Sequence, residues 1–253
     1  MVLGQIVAMV LAILVGLSLG ALGSGGSIIT IPVLVYVAGV PAENAVGMSL
    51  VIVGTTSLLG ALLHLRRGNV ALKPSLLFAV TGMAGSYIGA AGTHLVSRRN
   101  LMLLFAVIML IVGIRMWRST VGTLAKGPQK GSFSPLRCLS VGFVVGLLTG
   151  FLGIGGGFLI VPALVLFAGL DSRMAVGTSL AVIALNSSTG VLGQLRFTTV
   201  DWPLLAGFLA FALGGMVAGA MLASGLAETR LRRLFASTVL VLGIAVGVGN
   251  LLP

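Results

Sequence analysis

Gly23-Ser24-Gly25-Gly26-Ser27 and Gly153-Ile154-Gly155-Gly156-Gly157 are one glycine-rich turn written twice, 130 residues apart. The same offset carries Gly20 to Gly150, Pro32 to Pro162 and Gly39 to Gly169. It carries Ala45-Val46-Gly47 to Ala175-Val176-Gly177, Ser49-Leu50 to Ser179-Leu180, and Leu65-Arg66 to Leu195-Arg196. Farther on, Gly85 and Gly89 recur as Gly215 and Gly219, and Leu104-Phe105-Ala106 as Leu234-Phe235-Ala236. Gly113-Ile114 recurs as Gly243-Ile244, and the register slips once, near Pro74 and Pro203. Apolar composition alone does not hold glycines and prolines in one register over so long a stretch, so the chain reads as a duplicated unit.

The solvent of that unit is lipid. Of 253 residues, 58% are hydrophobic and 8% charged, whereas a soluble domain carries about a quarter charged residues. The apolar runs are continuous and lack the alternation of a barrel strand, which leaves helices as the structure that satisfies its own backbone in lipid. Segments run over about 3–22, 28–40, 44–63, 74–96 and 100–117, then 138–152, 158–170, 174–194, 203–224 and 231–252. A spanning helix needs roughly 20 apolar residues. Segments two and seven are shorter and are expected to be broken or re-entrant. The first segment has no basic residues before it and has a partner in the second half, so it reads as part of the fold and not as a cleaved leader.

The expected fold is an all-α polytopic membrane protein: a first transmembrane repeat over 1–117, a basic cytoplasmic linker over 118–137 and a second repeat over 138–253. Five segments per half is an odd number, so the second copy enters the membrane upside down, as in many secondary transporters. The net charge of +11 is gathered between apolar runs. With the linker in the cytoplasm, Arg66, Arg67 and Lys73 also fall inside, as do Arg230, Arg232 and Arg233. Glu43, Arg98–Arg99 and the Arg196–Asp201 loop fall outside, with both termini. Most positive charge is then cytoplasmic; Arg98–Arg99 fits least well. The expected location is the cell (inner) membrane, multi-pass.

Three sets of residues are candidates for function. Successive glycine N–H groups form anion-binding concavities, and a helix starting there adds its positive end. Gly25, Gly26, Gly155, Gly156 and Gly157 are therefore expected to offer backbone donors to a substrate. The competing reading is close helix packing. Ser49 and Thr56 lie seven residues apart on one helix, as do Ser179 and Asn186 on its counterpart, so each pair shares a face. They are expected to line a pathway, against the alternative that each hydroxyl bonds its own helix. Thr55, Ser57, Ser187 and Ser188 flank them. Arg66 and Arg196 end these helices and could attract anions at two opposite mouths, or simply snorkel. Arg173 follows Asp171 within reach of an ion pair.

Several classes of function are excluded. His64 and His94 lack a Glu-x-x-His context, Cys138 is the only cysteine, and no Walker loop occurs. No enzyme activity, metal or cofactor is expected, and the basic balance is not read as a nucleic-acid site. The only acids are Glu43, Asp171, Asp201 and Glu228, all near loops, which favours an anionic or neutral substrate over a cation. A coupling ion, proton or sodium, and a homo-oligomeric state stay open.

The paired Gly-x-Gly-Gly turns with a following proline, the paired Ala-x-Gly-x-Ser-Leu helices and the duplication resemble the TauE/SafE sulfite exporter family over nearly the whole chain. The resemblance implies secondary transport, as export, of small sulfur-containing anions such as sulfite or organosulfonates. The first turn has Ser24 and Ser27 where the second has Ile154 and Gly157, so the half-sites differ chemically. The alternative is a non-transporting membrane component, or an assembly factor of a larger complex.

Overall fold

The structure, a computed structural model, describes residues 2–23, 26–92, 103, 106–107, 109–115, 117–118, 135–152, 157–194 and 200–251. Among these, every regular element is helical. In chain order they are α1 (Val2–Leu22), α2 (Gly26–Pro32) continued by a π-helical turn (Val33–Val37), α3 (Ala42–Arg66), α4 (Leu72–Gly92) and helical residues at 109–115 (α5). Then follow α6 (Pro135–Leu152), α7 (Gly157–Leu166), α8 (Ser172–Gln194), α9 (Trp202–Gly225) and α10 (Glu228–Leu251). Most of the basic linker lies outside the described residues.

This is an all-α integral membrane protein. Gly4–Leu22, Asn44–Arg66, Ser172–Leu192 and Trp202–Gly225 are each long and apolar enough to cross a bilayer. Their outward faces are apolar as well. On α1, Ala8, Ala12, Val15 and Leu19 are buried while Ile6, Val10, Ile13 and Leu14 are exposed. A helix apolar all round is a helix solvated by protein on one side and lipid on the other.

The two short segments have a common design. Each holds a proline, Pro32 or Pro162, inside the helix, which removes an intrahelical hydrogen bond. Each ends on a glycine in the left-handed region, Gly39 (φ 72°) or Gly169 (φ 68°). Val40 N donates to Leu34 O and Leu170 N to Leu164 O, so the same wide turn, closed six residues back, ends both segments. At about 1.5 Å per residue neither segment reaches the 30 Å of a hydrocarbon core. The first still returns the chain: Gly26 sits against Val15 and Leu19 of α1, and Val37 against Gly4. α3 therefore starts at the same end as α1.

Glycines decide the long-range packing. A Cβ on Gly16 would strike the backbone of Ala212, and one on Gly215 the backbone of Ile13. Likewise Gly146 lies on Gly82, and Gly85 on Phe143. α1 thus packs in parallel on α9, and α6 in parallel on α4. The contacts correspond under the sequence offset: Gly16 to Gly146, Ala212 to Gly82, Ile13 to Phe143, Gly215 to Gly85. Between these pairs, α3 and α8 run antiparallel, with Leu50 on Gly190 and Leu180 on Gly60. Those two contacts also exchange under the offset.

In lipid, such close approach is how helices gain van der Waals contact. Gly16→Val and Gly146→Val are each expected to destabilise the protein by about 1–3 kcal/mol or more, as overpacking does. Gly214 has open space where a Cβ would stand, so Gly214→Ala should leave the melting temperature in detergent unchanged or raised. Thermal unfolding followed by size-exclusion chromatography reads all three.

Candidate functional site

The α3–α8 seam runs through the centre of the structure, and the polar candidates lie along it. Gly54 meets Ser187 there, with 2.9 Å between an ideal Gly54 Cβ and the Ser187 Cβ. Gly54 is near the middle of α3 and Ser187 lies in the second half of α8.

Ser49, Thr56 and Ser179 are all buried. The Ser49 hydroxyl donates to Val46 O (2.8 Å). The Thr56 hydroxyl points at Ile52 O (2.6 Å) and Val53 O (3.1 Å) of its own helix. In this conformation both donors are engaged locally, so what these two side chains can still offer is an acceptor oxygen.

Ser179 differs. Its hydroxyl lies 2.8 Å from Val176 O and 2.9 Å from Gly23 O. Gly23 is in the left-handed region (φ 75°) at the end of α1. The bond to Gly23 ties α8 to the first glycine turn, joining two of the sequence candidates. Gly26, by contrast, is fixed by packing: a Cβ there would stand 2.5 Å from both Val15 O and the Leu19 side chain. Gly157 is buried at the start of α7. Gly25, Gly155, Gly156 and Arg196 lie outside the described residues.

Two groups near the middle of the seam helices have unmet hydrogen-bonding capacity. The Asn186 Oδ1 and the Ser57 Oγ are buried without a partner. Ser57 shares a face with Gly54, three residues before it, while the Asn186 amide lies toward α4, its Nδ2 4.0 Å from an ideal Gly82 Cβ. An unpaired polar atom in a low-dielectric interior is costly, so these are groups that a bound polar solute would satisfy. The flanking Ser57 was harder to single out from sequence than Thr56. Both fit a polar stripe, and only the packing shows which hydroxyl lacks a local acceptor.

The charges also settle. Asp171 and Arg173 do not serve each other. The Asp171 carboxylate accepts from Met174 N (2.7 Å) at the start of α8, where a helix favours negative charge. Arg173 Nη2 donates to Ser224 O (3.3 Å) and Leu226 O (2.8 Å) at the end of α9. Asp201 caps α9 by accepting from Leu204 N (3.1 Å). Arg66 is exposed on the last turn of α3, and its neighbour Arg67 reaches Ala220 O (3.4 Å).

Residues 8–246 match the family described as sulfite exporter TauE/SafE. The chain belongs to that family. Among its relatives, a probable membrane transporter protein of Xylella fastidiosa (strain Temecula1 / ATCC 700964) is 33% identical over 92% of this chain and 91% of its own length. The probable membrane transporter protein YunE of Bacillus subtilis (strain 168) is 28% identical, over 76% of this chain and 80% of its own. A third, from Methanocaldococcus jannaschii, is 28% identical over 82% and 80%. No solved structure matches the chain significantly. This TauE/SafE member is thus a membrane transporter by family, and the α3–α8 seam is its candidate site.

Ser179→Ala removes the tie to Gly23 and is expected to cost about 1 kcal/mol. Ser237→Ala, which loses only a bond within its own exposed helix turn, should leave the unfolding midpoint unchanged. Thermal unfolding in detergent separates the two.

Proposed function

We propose that this protein is a secondary transporter that exports small sulfur-containing anions, sulfite or an organosulfonate, across the inner membrane by alternating access of two inverted repeats. Family membership over nearly the whole chain supports the substrate class. The observation that carries the mechanism is the exchanged pairing: the first helix of each half packs on the fourth helix of the other, at corresponding residues. Two such cross-packed bodies flank an antiparallel α3–α8 pair. Rocking them about that pair would open the seam to either side in turn.

On this reading the substrate sits at mid-seam. Gly25, Gly26, Gly155, Gly156 and Gly157 supply backbone donors, and Ser49, Thr56, Ser179 and Asn186 line the path. Asp171 and Asp201 are occupied as helix caps, away from the seam midpoint. The coupling ion is a proton or sodium.

Sulfite flux into proteoliposomes tests the proposal. The expected result is flux above empty liposomes under a pH or voltage gradient, cut about tenfold or more by Asn186→Leu in a folded protein. Flux equal to that of empty liposomes under both gradients would overturn it. Folded Gly156→Val protein that lacks only transport would count against the alternative of a non-transporting component, in which the turns merely pack helices.

A further inference from the structure

A second site lies away from the seam midpoint. Where α3 ends, α8 begins and α9 ends, the structure encloses a cavity of about 140 Å³. One buried water needs roughly 10–15 Å³ by such a measure, so the space takes a polyatomic solute. Its wall includes Arg67, Arg173, Asn69 and His64, with Val176 and Ala223 completing the apolar floor. Among the described residues, no acidic side chain lines it.

The two arginines are held in place. Arg67 leans on Ala220 O and Arg173 on Ser224 O and Leu226 O. These bonds quench the negative end of α9 and orient both guanidinium groups. Each guanidinium has five N–H donors in a planar fork, and the bonds to α9 engage one nitrogen of each. His64 is the independent sign of a missing ligand. It is 6% exposed, and both ring nitrogens are buried without a partner. A neutral imidazole has one donor and one acceptor to satisfy.

We propose that this cavity binds a small oxyanion, gripped between the Arg67 and Arg173 forks with Asn69 and His64 as neutral partners. Two cations and no acid match a solute with several anionic oxygens, and forked donors suit it. By sequence, the corresponding positions of the other half do not repeat this set of residues. Under the sequence offset, His64 corresponds to Gln194, Arg67 to Phe197 and Arg173 to Glu43. The duplicated fold therefore carries a cationic mouth at one end, and a one-sided positive mouth raises the local concentration of anions there. Its role as a loading site rests on the transport reading; the binding itself does not.

The test is binding of radiolabelled sulfite to the full-length protein in uncharged detergent at low ionic strength. In an Asn186→Leu background, which removes the seam site, Arg67→Gln and Arg173→Gln should each weaken the remaining binding by about tenfold or more. Arg233→Gln, at an exposed position of α10, should change it by less than about twofold. Should an arginine variant fail to fold, Ser224→Trp fills the mouth from an exposed position with both arginines present, and it should abolish the same binding. Unchanged binding in folded arginine or Ser224→Trp variants overturns the proposal. The phosphate of an anionic lipid is the rival occupant. If native mass spectrometry shows that the arginine variants shed bound anionic lipid while sulfite binds as in the unaltered protein, the cavity is a lipid site and the proposal fails. Sulfite binding here without flux in liposomes would leave this site standing and remove the transport reading.

Discussion

Backbone touches backbone where α1 crosses α9 and where α6 crosses α4, and the rest of the structure hangs on that approach. Lipid tails are as apolar as leucine, so burying side chains between helices gains little. Contact distance is what remains to be optimised. Gly16, Gly20, Gly215 and Gly219 bring one pair together; Gly82, Gly85, Gly142 and Gly146 bring the other. Because both pairs are cross-packed, the first helix of each half has its close-packed partner in the other half's fourth. α3 and α8 are then held between two rigid bodies, antiparallel and in contact along their length.

That confinement gives the polar residues their meaning. A hydroxyl facing lipid and one facing a protein seam can make the same bond to the preceding turn, and Ser49 and Thr56 make it. Ser179 bonds across to Gly23 as well, because α1 ends beside it. The glycine turn of the first half and the serine helix of the second are thus mechanically joined. Two acids and two arginines have structural partners: Asp171 and Asp201 cap helix starts, and Arg67 and Arg173 hold a helix end.

Much of the fold was legible in the sequence, for a reason visible in particular elements. The apolar runs predicted over 44–63 and 203–224 became α3 (Ala42–Arg66) and α9 (Trp202–Gly225), since a run long enough to cross lipid has no competing structure. The short second and seventh segments were legible because Pro32 and Pro162 interrupt them and Gly39 and Gly169 end them. The site was less legible. Arg66 drew attention through its counterpart Arg196, yet Arg67, one residue on and without a basic counterpart, lines the cavity. His64 read as an isolated residue with no metal-binding context, and its burial without partners depends on helices from the other half. A seven-residue spacing pairs Thr56 with Ser49, and the Thr56 hydroxyl bonds its own helix, while the hydroxyl of the adjacent Ser57 lacks a partner.

The sequence by itself determined that the chain lives in lipid, that its elements are helices, where most of them stop, and that one unit was written twice. Each of those is a local matter, fixed by hydropathy over a run or by a proline or glycine at a given position. Only the tertiary structure decided which helices pair, which hydroxyls find a second partner, and that Arg67, Arg173 and His64 share one cavity. His64 and Arg67 stand about a hundred residues from Arg173 in the chain. Their meeting depends on glycine contacts: the spacing of four in Gly16 and Gly20, Gly142 and Gly146, and Gly215 and Gly219 marks a face for close packing, but steric approach in three dimensions decides which helix that face meets.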